Sequence, residues 1–322
     1  MTEPGSLEQP MATTVALGGA KEGTCFRAVW KQHWLLYVML VPSAVCLILF
    51  HLFPLWGISI AFVVYRPTRG VAGSEWVALA NFQRFFRMRN SWPLFRNTLV
   101  IAIGKIAMGQ MASIGFALAL NEVPKWLFKR TVQTATTLPH FLSWVIIGGI
   151  MVQLLSTSGS LNNLVGMVGL KPIRFLGSTK LFPWTVILSE TWKEFGFGAI
   201  IYLAALANVN PELYEAAAVD GAGRFARLRR ITIPGISSTV ILMSCLSLGS
   251  ILNAGFEQVL VLLNPVVYST GDILDTYVYR AGLLEQNYSV ATAAGLIKSV
   301  IGFFLILVSY WLADKYANYR VF

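Results

Sequence analysis

NPELYEAAAVDGAGRFARLRRITIP, residues 210–234, is a polar and charged stretch between two long apolar runs, and it decides how the rest of the chain is read. Asn210 has the chemistry of a helix N-cap, Pro211 suits the first helical position, and Glu212 and Glu215 complement the positive end of a helix. Ala216, Ala217 and Ala218 leave a smooth face that another protein can approach closely. Gly221 and Gly223 permit a sharp turn, and residues 224–233 predict a second, basic helix stopped by Pro234. The pattern is helix, glycine turn, helix. Apolar runs on both sides argue against its use as a DNA reader and for a docking element that meets a partner in the water.

The surrounding composition sets the class. The 322 residues are 56% hydrophobic and 12% charged, with a mean hydropathy of +0.63, far from a soluble average. An integral membrane protein is expected. Its 25 Lys+Arg against 15 Asp+Glu give a net charge of +10, which fits lipid headgroups and a positive-inside bias better than nucleic acid. Cys46 and Cys245 lie within apolar runs and Cys25 stands alone, so no disulfide framework is expected. His33, His51 and His140 are scattered. No His, Cys or carboxylate cluster has metal-ligand spacing, and no metal site is expected.

Taken in order, residues 1–30 predict a disordered cytoplasmic tail, because the first two dozen are small and polar and lack the basic start and apolar core of a signal peptide. Residues 31–322 form the transmembrane domain, with the polar loop at 208–235. Six spans are expected, at about 35–65, 95–120, 136–155, 181–207, 237–263 and 290–313. Pro42 and Pro54 predict a kinked or broken first span. In the first outer loop, 66–94, Asn81 reads as the N-cap of a short amphipathic helix. Phe82, Phe85 and Phe86 share one face of that helix, and Arg84, Arg87 and Arg89 occupy the remainder. The helix either lies along the bilayer surface or presents a basic outer patch to an anionic substrate or acidic partner. An even number of spans puts both termini on one side. That side carries about twelve Lys and Arg against about ten on the other, too small a bias to fix orientation.

At the polar loop the chain resembles a known family. Glu215, Ala216 and Ala217, then Gly221 after three residues, then Ile231, Ile233 and Pro234 after nine more, resemble the EAA loop of permease subunits in bacterial binding-protein-dependent ABC importers. The family usually has Leu where Ile233 stands. FHLFPLWGISIAF (50–62), GSEWVALANFQRFF (73–86), FRNTLVIA (95–102), LNEVPKWLFKRTVQTATTLPHFLSWVI (120–146) and LNAGFEQVLVLLNPVVYSTGDILDTYVYRAGL (252–283) are similar to one branch of the sugar permeases. That branch includes importers of polygalacturonide and alginate oligosaccharides. The resemblance runs from about residue 30 to the C-terminus. It implies an all-α, six-helix permease of the maltose type in the bacterial inner membrane, with both termini and the EAA loop cytoplasmic. It implies a second, related permease, two cytoplasmic ATPase subunits that hold ATP and Mg, and an external solute-binding protein. Coupling to the ATPase would fall to Glu215, Ala216, Ala217, Asp220, Gly221, Ile231 and Pro234.

Ionisable residues at membrane depth mark where substrate would pass, because they face a polar cavity or pair with each other. Glu190, Lys193 and Glu194 are spaced i, i+3 and i+4 in the fourth span, near its middle. They read either as a self-satisfied ion pair or as a translocation wall in which Trp192 adds an aromatic face for sugar rings. Lys105 and Lys298, at similar depth, either pair with Glu190 or Glu194 or present charge to a uronate carboxylate. Asn253 and Glu257 are expected four residues apart on the fifth span.

The expected function is therefore ATP-driven import of oligosaccharides, acidic ones first and neutral ones as the alternative, by alternating access. Gly104-Lys105 lacks the Gly-x-x-x-x-Gly-Lys-Ser/Thr pattern, so this chain is not expected to be the ATPase. A secondary transporter would call for inverted repeats, and a membrane enzyme for a nucleophile, base or metal constellation; neither pattern is found.

Overall fold

The computed structural model describes residues 22–317, and the side chains of residues 34–315. The expected disordered tail therefore lies largely outside the described residues. Helix α1 (Glu22–Leu47) begins within its expected limits. The chain divides into two units between Gly57 and Ile58.

In the first unit α1 carries Pro42 inside it and passes into a wide π-helical turn over Ile48–Leu52, followed by a 3-10 helix, Phe53–Phe62. Pro54 has no N–H to donate to the turn before it, and the helix widens immediately ahead of it. No residue from Trp34 to Gly57 is buried, and Trp34, Met39, Phe50 and Trp56 all stand exposed. A helix that is apolar all round suits contact with lipid tails.

The second unit opens on a β-hairpin that the sequence did not announce. Strand β1 (Val63–Arg66) pairs antiparallel with β2 (Gly70–Trp76), with Val63 opposite Trp76 and Arg66 opposite Gly70. Helix α2 (Ala80–Arg87) follows. The expected N-cap at Asn81 is not formed: Asn81 lies inside the helix, fully buried, and its Nδ2 donates to the carbonyls of Ala61 and Val63, 3.0 Å each. Those two carbonyls sit where the chain leaves a helix for a strand, and a buried side chain supplies the donor they lack. Of the three phenylalanines, Phe85 is fully buried against Phe95 and Tyr277, whereas Phe86 is 57% exposed.

Helix α3 (Ser91–Asn121) is an uninterrupted span. The expected third span is instead broken. Helix α4 (Trp126–Thr137) runs into a 3-10 turn at Leu138–Phe141 that contains Pro139, and α5 (Trp144–Leu154) departs at 100°. Ser143 caps α5 by accepting from the Ile146 N–H at 3.4 Å. Helix α6 (Ser160–Met167) follows, and α7 (Phe182–Ala207) covers the expected fourth span. Among the described residues four helices, or five if the bent pair is one span, are long and apolar enough to cross a membrane, against six expected. Helix α7, which carries Glu190, Lys193 and Glu194, is not one of them.

Helices α8 (Pro211–Val219) and α9 (Arg224–Arg227) form the polar loop. Pro234 does not stop the second of them. A π-helical turn over Leu228–Thr232 leads directly into α10 (Ile233–Gly249), so that Arg224–Gly249 is one helix. Proline lacks a donor and its ring clashes with the carbonyl four residues back, and a widened turn relieves both. The fifth span also differs from expectation, because it breaks over residues 250–255 before α11 (Phe256–Leu262). Gly255, with φ of +83°, occupies the left-handed region that only glycine enters without strain. Then α12 (Tyr268–Gly271), α13 (Leu274–Tyr279) and α14 (Tyr288–Ala317) complete the described chain.

Three apolar clusters hold this unit together. Ile101, Phe182, Val186 and Val259 join α3, α7 and α11, while Phe85, Leu94, Leu274 and Ala291 join α2, α3, α13 and α14. Ala117, Tyr202 and Ile236 join α3, α7 and α10. Helices α3 and α7 thus make a wall against which α10 and the break after it are laid.

Candidate functional site

Two polar surfaces stand out. The first is the loop at 210–234. The Asn210 side chain accepts from the Glu212 N–H at 3.0 Å, forming the expected cap. At the other end of α8 the Ala222 N–H donates to the Ala217 carbonyl at 2.9 Å and the Gly221 N–H to that of Ala218 at 3.1 Å. This pair of bonds is a Schellman ending, and it needs the left-handed residue that Gly221 supplies with φ of +75°. The Tyr214 hydroxyl donates to the Thr232 hydroxyl at 3.1 Å, tying α8 to the long helix. Glu215, Ala216, Asp220, Gly221 and Pro234 are exposed; Ala217 and Ile231 are half-buried. Leu213, Val219 and Phe225 are exposed as well, Val219 at 88%. Apolar side chains rimmed by Glu212, Glu215, Arg224 and Arg229 are the composition of a docking surface.

The second surface is a cavity of about 430 Å³ between α3, α7 and the end of α10. Its polar lining is Lys105, Glu190, Glu194, Ser247, Ser250 and Asn253. The Lys105 ammonium donates to the Ala254 carbonyl at 2.7 Å and to Gln258 Oε1, and lies 3.5 Å from Glu190 Oε2. Gln258 is fully buried, and its Nε2 donates to the Val186 carbonyl and the Ser189 hydroxyl, both at 2.8 Å. Lys105 therefore fastens the break in the fifth span to α3, and Gln258 fastens it to α7. Glu190 Oε2 is enclosed and accepts no hydrogen bond.

Lys193 is turned elsewhere. Its buried ammonium donates to the His140 carbonyl at 3.0 Å and to Glu194 Oε1 at 2.8 Å, and it lies over the Trp144 ring. Glu194 Oε2 meets His140 Nδ1 at 2.7 Å, and the His140 ring stacks on Phe197. This group pins α7 to the bend between α4 and α5. Trp192, 48% exposed, does not line the cavity. Glu257 is exposed and also stands apart from it, because the break at 250–255 removes the helical spacing expected between Asn253 and Glu257. Lys298 lies beyond Asn253 in an adjoining cavity of about 500 Å³, donating to Asp275 at 2.5 Å and to Asn253 at 3.2 Å.

Several lining residues went unnoticed in the sequence. Ser247 and Ser250, with Ser244 three residues before them, recur along α10 and its C-cap, a polar stripe in an apolar run whose last two members line the cavity. Gln110 on α3 joins the stripe, accepting from Ser244 at 2.9 Å and donating to Ser247 at 3.3 Å. After the break in the fifth span, Asp272 and Arg280 pair at 2.6 Å. Burial works against the Arg280 charge, but the hydrogen bonds and charge of Asp272 outweigh it and hold the guanidinium pKa above its ordinary value. Arg84, Arg87 and Arg89 are exposed with Arg66 and Arg69, and among the described residues none of the five forms an ion pair.

A helical unit with a polar cavity at its centre and an exposed helix–turn–helix between two spans is the build of a transporter's membrane subunit. Residues 109–318 match the family described as the binding-protein-dependent transport system inner membrane component, and the chain belongs to that family. It is the multi-pass permease component of an ABC importer, not the ATPase. Protein LplB of Bacillus subtilis is 39% identical over 100% of this chain and 99% of its own. The polygalacturonan/rhamnogalacturonan transport system permease protein YteP of the same organism is 41% identical over 90% of this chain and 91% of its own. A solved bacterial alginate ABC transporter, in complex with an alginate pentasaccharide-bound periplasmic protein, contains a chain similar to this one. The match has a TM-score of 0.82 at 36% identity and covers 91% of this chain and 99% of that one.

Proposed function

We propose that this chain is one of two related permease subunits through which an ATP-driven importer carries acidic oligosaccharides, of the galacturonide or alginate type, into the cytoplasm. Two ATPase subunits, which hold ATP and Mg, dock on α8 from the cytoplasm, where both termini also lie. A solute-binding protein delivers the sugar to the outer face. Coupling is assigned to Glu215, Ala216, Ala217, Asp220, Gly221, Ile231 and Pro234. The substrate wall is assigned to Lys105, Glu190, Glu194, Asn253 and Lys298, with the basic outer patch of Arg84, Arg87 and Arg89 drawing the polyanion inward.

One observation carries the reading. Helix α8 is bonded through Tyr214 to Thr232 on the same uninterrupted helix that reaches the cavity at Ser247. A push on α8 when the ATPases close is thereby delivered, through a stiff rod, to the cavity wall, which is what alternating access requires. The names of the similar transporters support the substrate class.

The test is reconstitution with the partner subunits in proteoliposomes, measuring sugar-stimulated ATP hydrolysis and uptake of uronic oligosaccharides. Glu215→Ala and Gly221→Val are expected to lower both activities. Wild-type values in both variants overturn the coupling assignment.

A further inference from the structure

The charges around the cavity cancel within this chain. Lys105 stands beside Glu190 at 3.5 Å, Lys193 bonds Glu194 at 2.8 Å, and Lys298 bonds Asp275 at 2.5 Å. Among the described residues, no other Lys or Arg lines the cavity or the spaces that adjoin it. Each lysine also has a neutral partner: Lys105 bonds Ala254 and Gln258, Lys193 bonds His140, and Lys298 bonds Asn253. A uronate carboxylate entering here meets Glu190 and Glu194, and the one lysine that lines this cavity is already balanced by Glu190, so like charges disfavour the carboxylate.

The same wall is well furnished for hydroxyl groups. Glu190 lines the cavity with 23% of its side chain exposed, while its Oε2 is turned inward beside Lys105 at 3.5 Å. The exposed part of that carboxylate is a charge-assisted acceptor for an O–H donor. Ser247, Ser250 and Asn253 add neutral donors and acceptors along the same space, whose volume of about 430 Å³ is that of a small-ligand site.

We infer that this chain's wall of the cavity binds the hydroxyl edge of an oligosaccharide, with Glu190 as the charged acceptor, and that it does not receive a sugar carboxylate. The inference rests on the reading of this cavity as the oligosaccharide path. It separates two jobs that the acidic-sugar reading alone leaves merged. Hydroxyls are read here, and the counter-charge for a uronic substrate comes from groups outside this wall.

The experiment compares an oligouronide with its carboxyl-reduced, neutral counterpart in proteoliposomes holding the complete importer, with KM for uptake as the readout. In Glu190→Gln the neutral sugar loses its charged acceptor, and its KM is expected to rise about tenfold. Lys105 is simultaneously released from its counter-ion, so the ratio of the uronide KM to the neutral KM is expected to fall. In the double variant Glu190→Gln, Lys105→Met the charge remains balanced, and both KM values are expected to rise by the same factor. An unchanged neutral KM in Glu190→Gln, or a rise confined to the uronide in the double variant, overturns the inference. Failure of the wild-type importer to carry either sugar is a different result: it removes the oligosaccharide reading, and this inference with it.

Discussion

The hydroxyl of Tyr214 donates to that of Thr232 at 3.1 Å, and this bond joins the exposed helix α8 to the rod whose far end lines the cavity. Thr232 is buried and sits at the end of the π-helical turn just before Pro234, so the link is made where the rod is locally widened. Tyr214→Phe keeps the ring and removes the donor. A neutral hydrogen bond contributes about 1 kcal/mol net. The expected outcome is an intact complex in which sugars transported per ATP hydrolysed fall several-fold, measured by paired uptake and phosphate-release assays. An unchanged ratio would show that the push travels by another route.

Gly221 ends α8 in the left-handed region. A side chain there costs about 1–2 kcal/mol, and more for a β-branched residue. Gly221→Val is expected to fray the last turn of α8 and weaken the hold on the ATPase subunits. Co-purification after detergent extraction measures it: less ATPase is retained, while permease yield stays the same. Gly221→Asn, which tolerates the same backbone angles better, is expected to retain most of it.

Lys193 separates a structural role from a transport role. Its side chain is 8% exposed and bonded to Glu194, which is 33% exposed and also meets His140, so losing Lys193 costs less than the ~3–5 kcal/mol of a fully buried pair. Lys193→Met is expected to lower the thermal unfolding midpoint of the complex clearly, followed by tryptophan fluorescence. In protein that remains folded, KM for the sugar is expected to stay at its wild-type value, because Lys193 holds the bend of the third span rather than facing the cavity. A rise in KM without loss of stability would return Lys193 to the substrate wall.

The basic patch proposed to face outward would act at a distance. Arg84, Arg87 and Arg89 are exposed, and attraction between exposed charges is screened over about 8 Å at physiological salt. Replacing all three by Gln is expected to slow uptake of uronic oligosaccharides at low ionic strength, with the difference shrinking as salt is added. Neutral oligosaccharides are expected to be unaffected. Equal slowing of both sugars, independent of salt, would assign the patch to packing or lipid contact instead.

The polar loop was largely readable beforehand. Asn210, Pro211 and Gly221 do in the structure what their chemistry suggests, because a cap and a left-handed turn are settled by residues within a few positions of each other. Pro234 was misread for a related reason: a proline forbids one hydrogen bond, and the chain met that restriction by widening a turn rather than ending the helix. The i, i+3, i+4 spacing of Glu190, Lys193 and Glu194 left an ion pair and a translocation wall both open, and the structure pairs Lys193 with Glu194 while Glu190 and Glu194 line the cavity. At 100° per residue, Lys193 lies about 60° to one side of Glu190 and Glu194 about 40° to the other. That difference is enough for Lys193 to meet the bent third span while Glu190 meets Lys105.

What the sequence by itself determined is the membrane class, the family and the helix–turn–helix form of the polar loop, all of which are written in composition, local propensity and a compact motif. The tertiary structure alone decided which charges face the cavity, where the third and fifth spans break, and that Asn81 serves the carbonyls of Ala61 and Val63 instead of capping a helix. The physical reason is that buried polar groups must find partners wherever packing places them. Lys105 finds Gln258, 153 residues away, and no periodicity within either segment records that meeting.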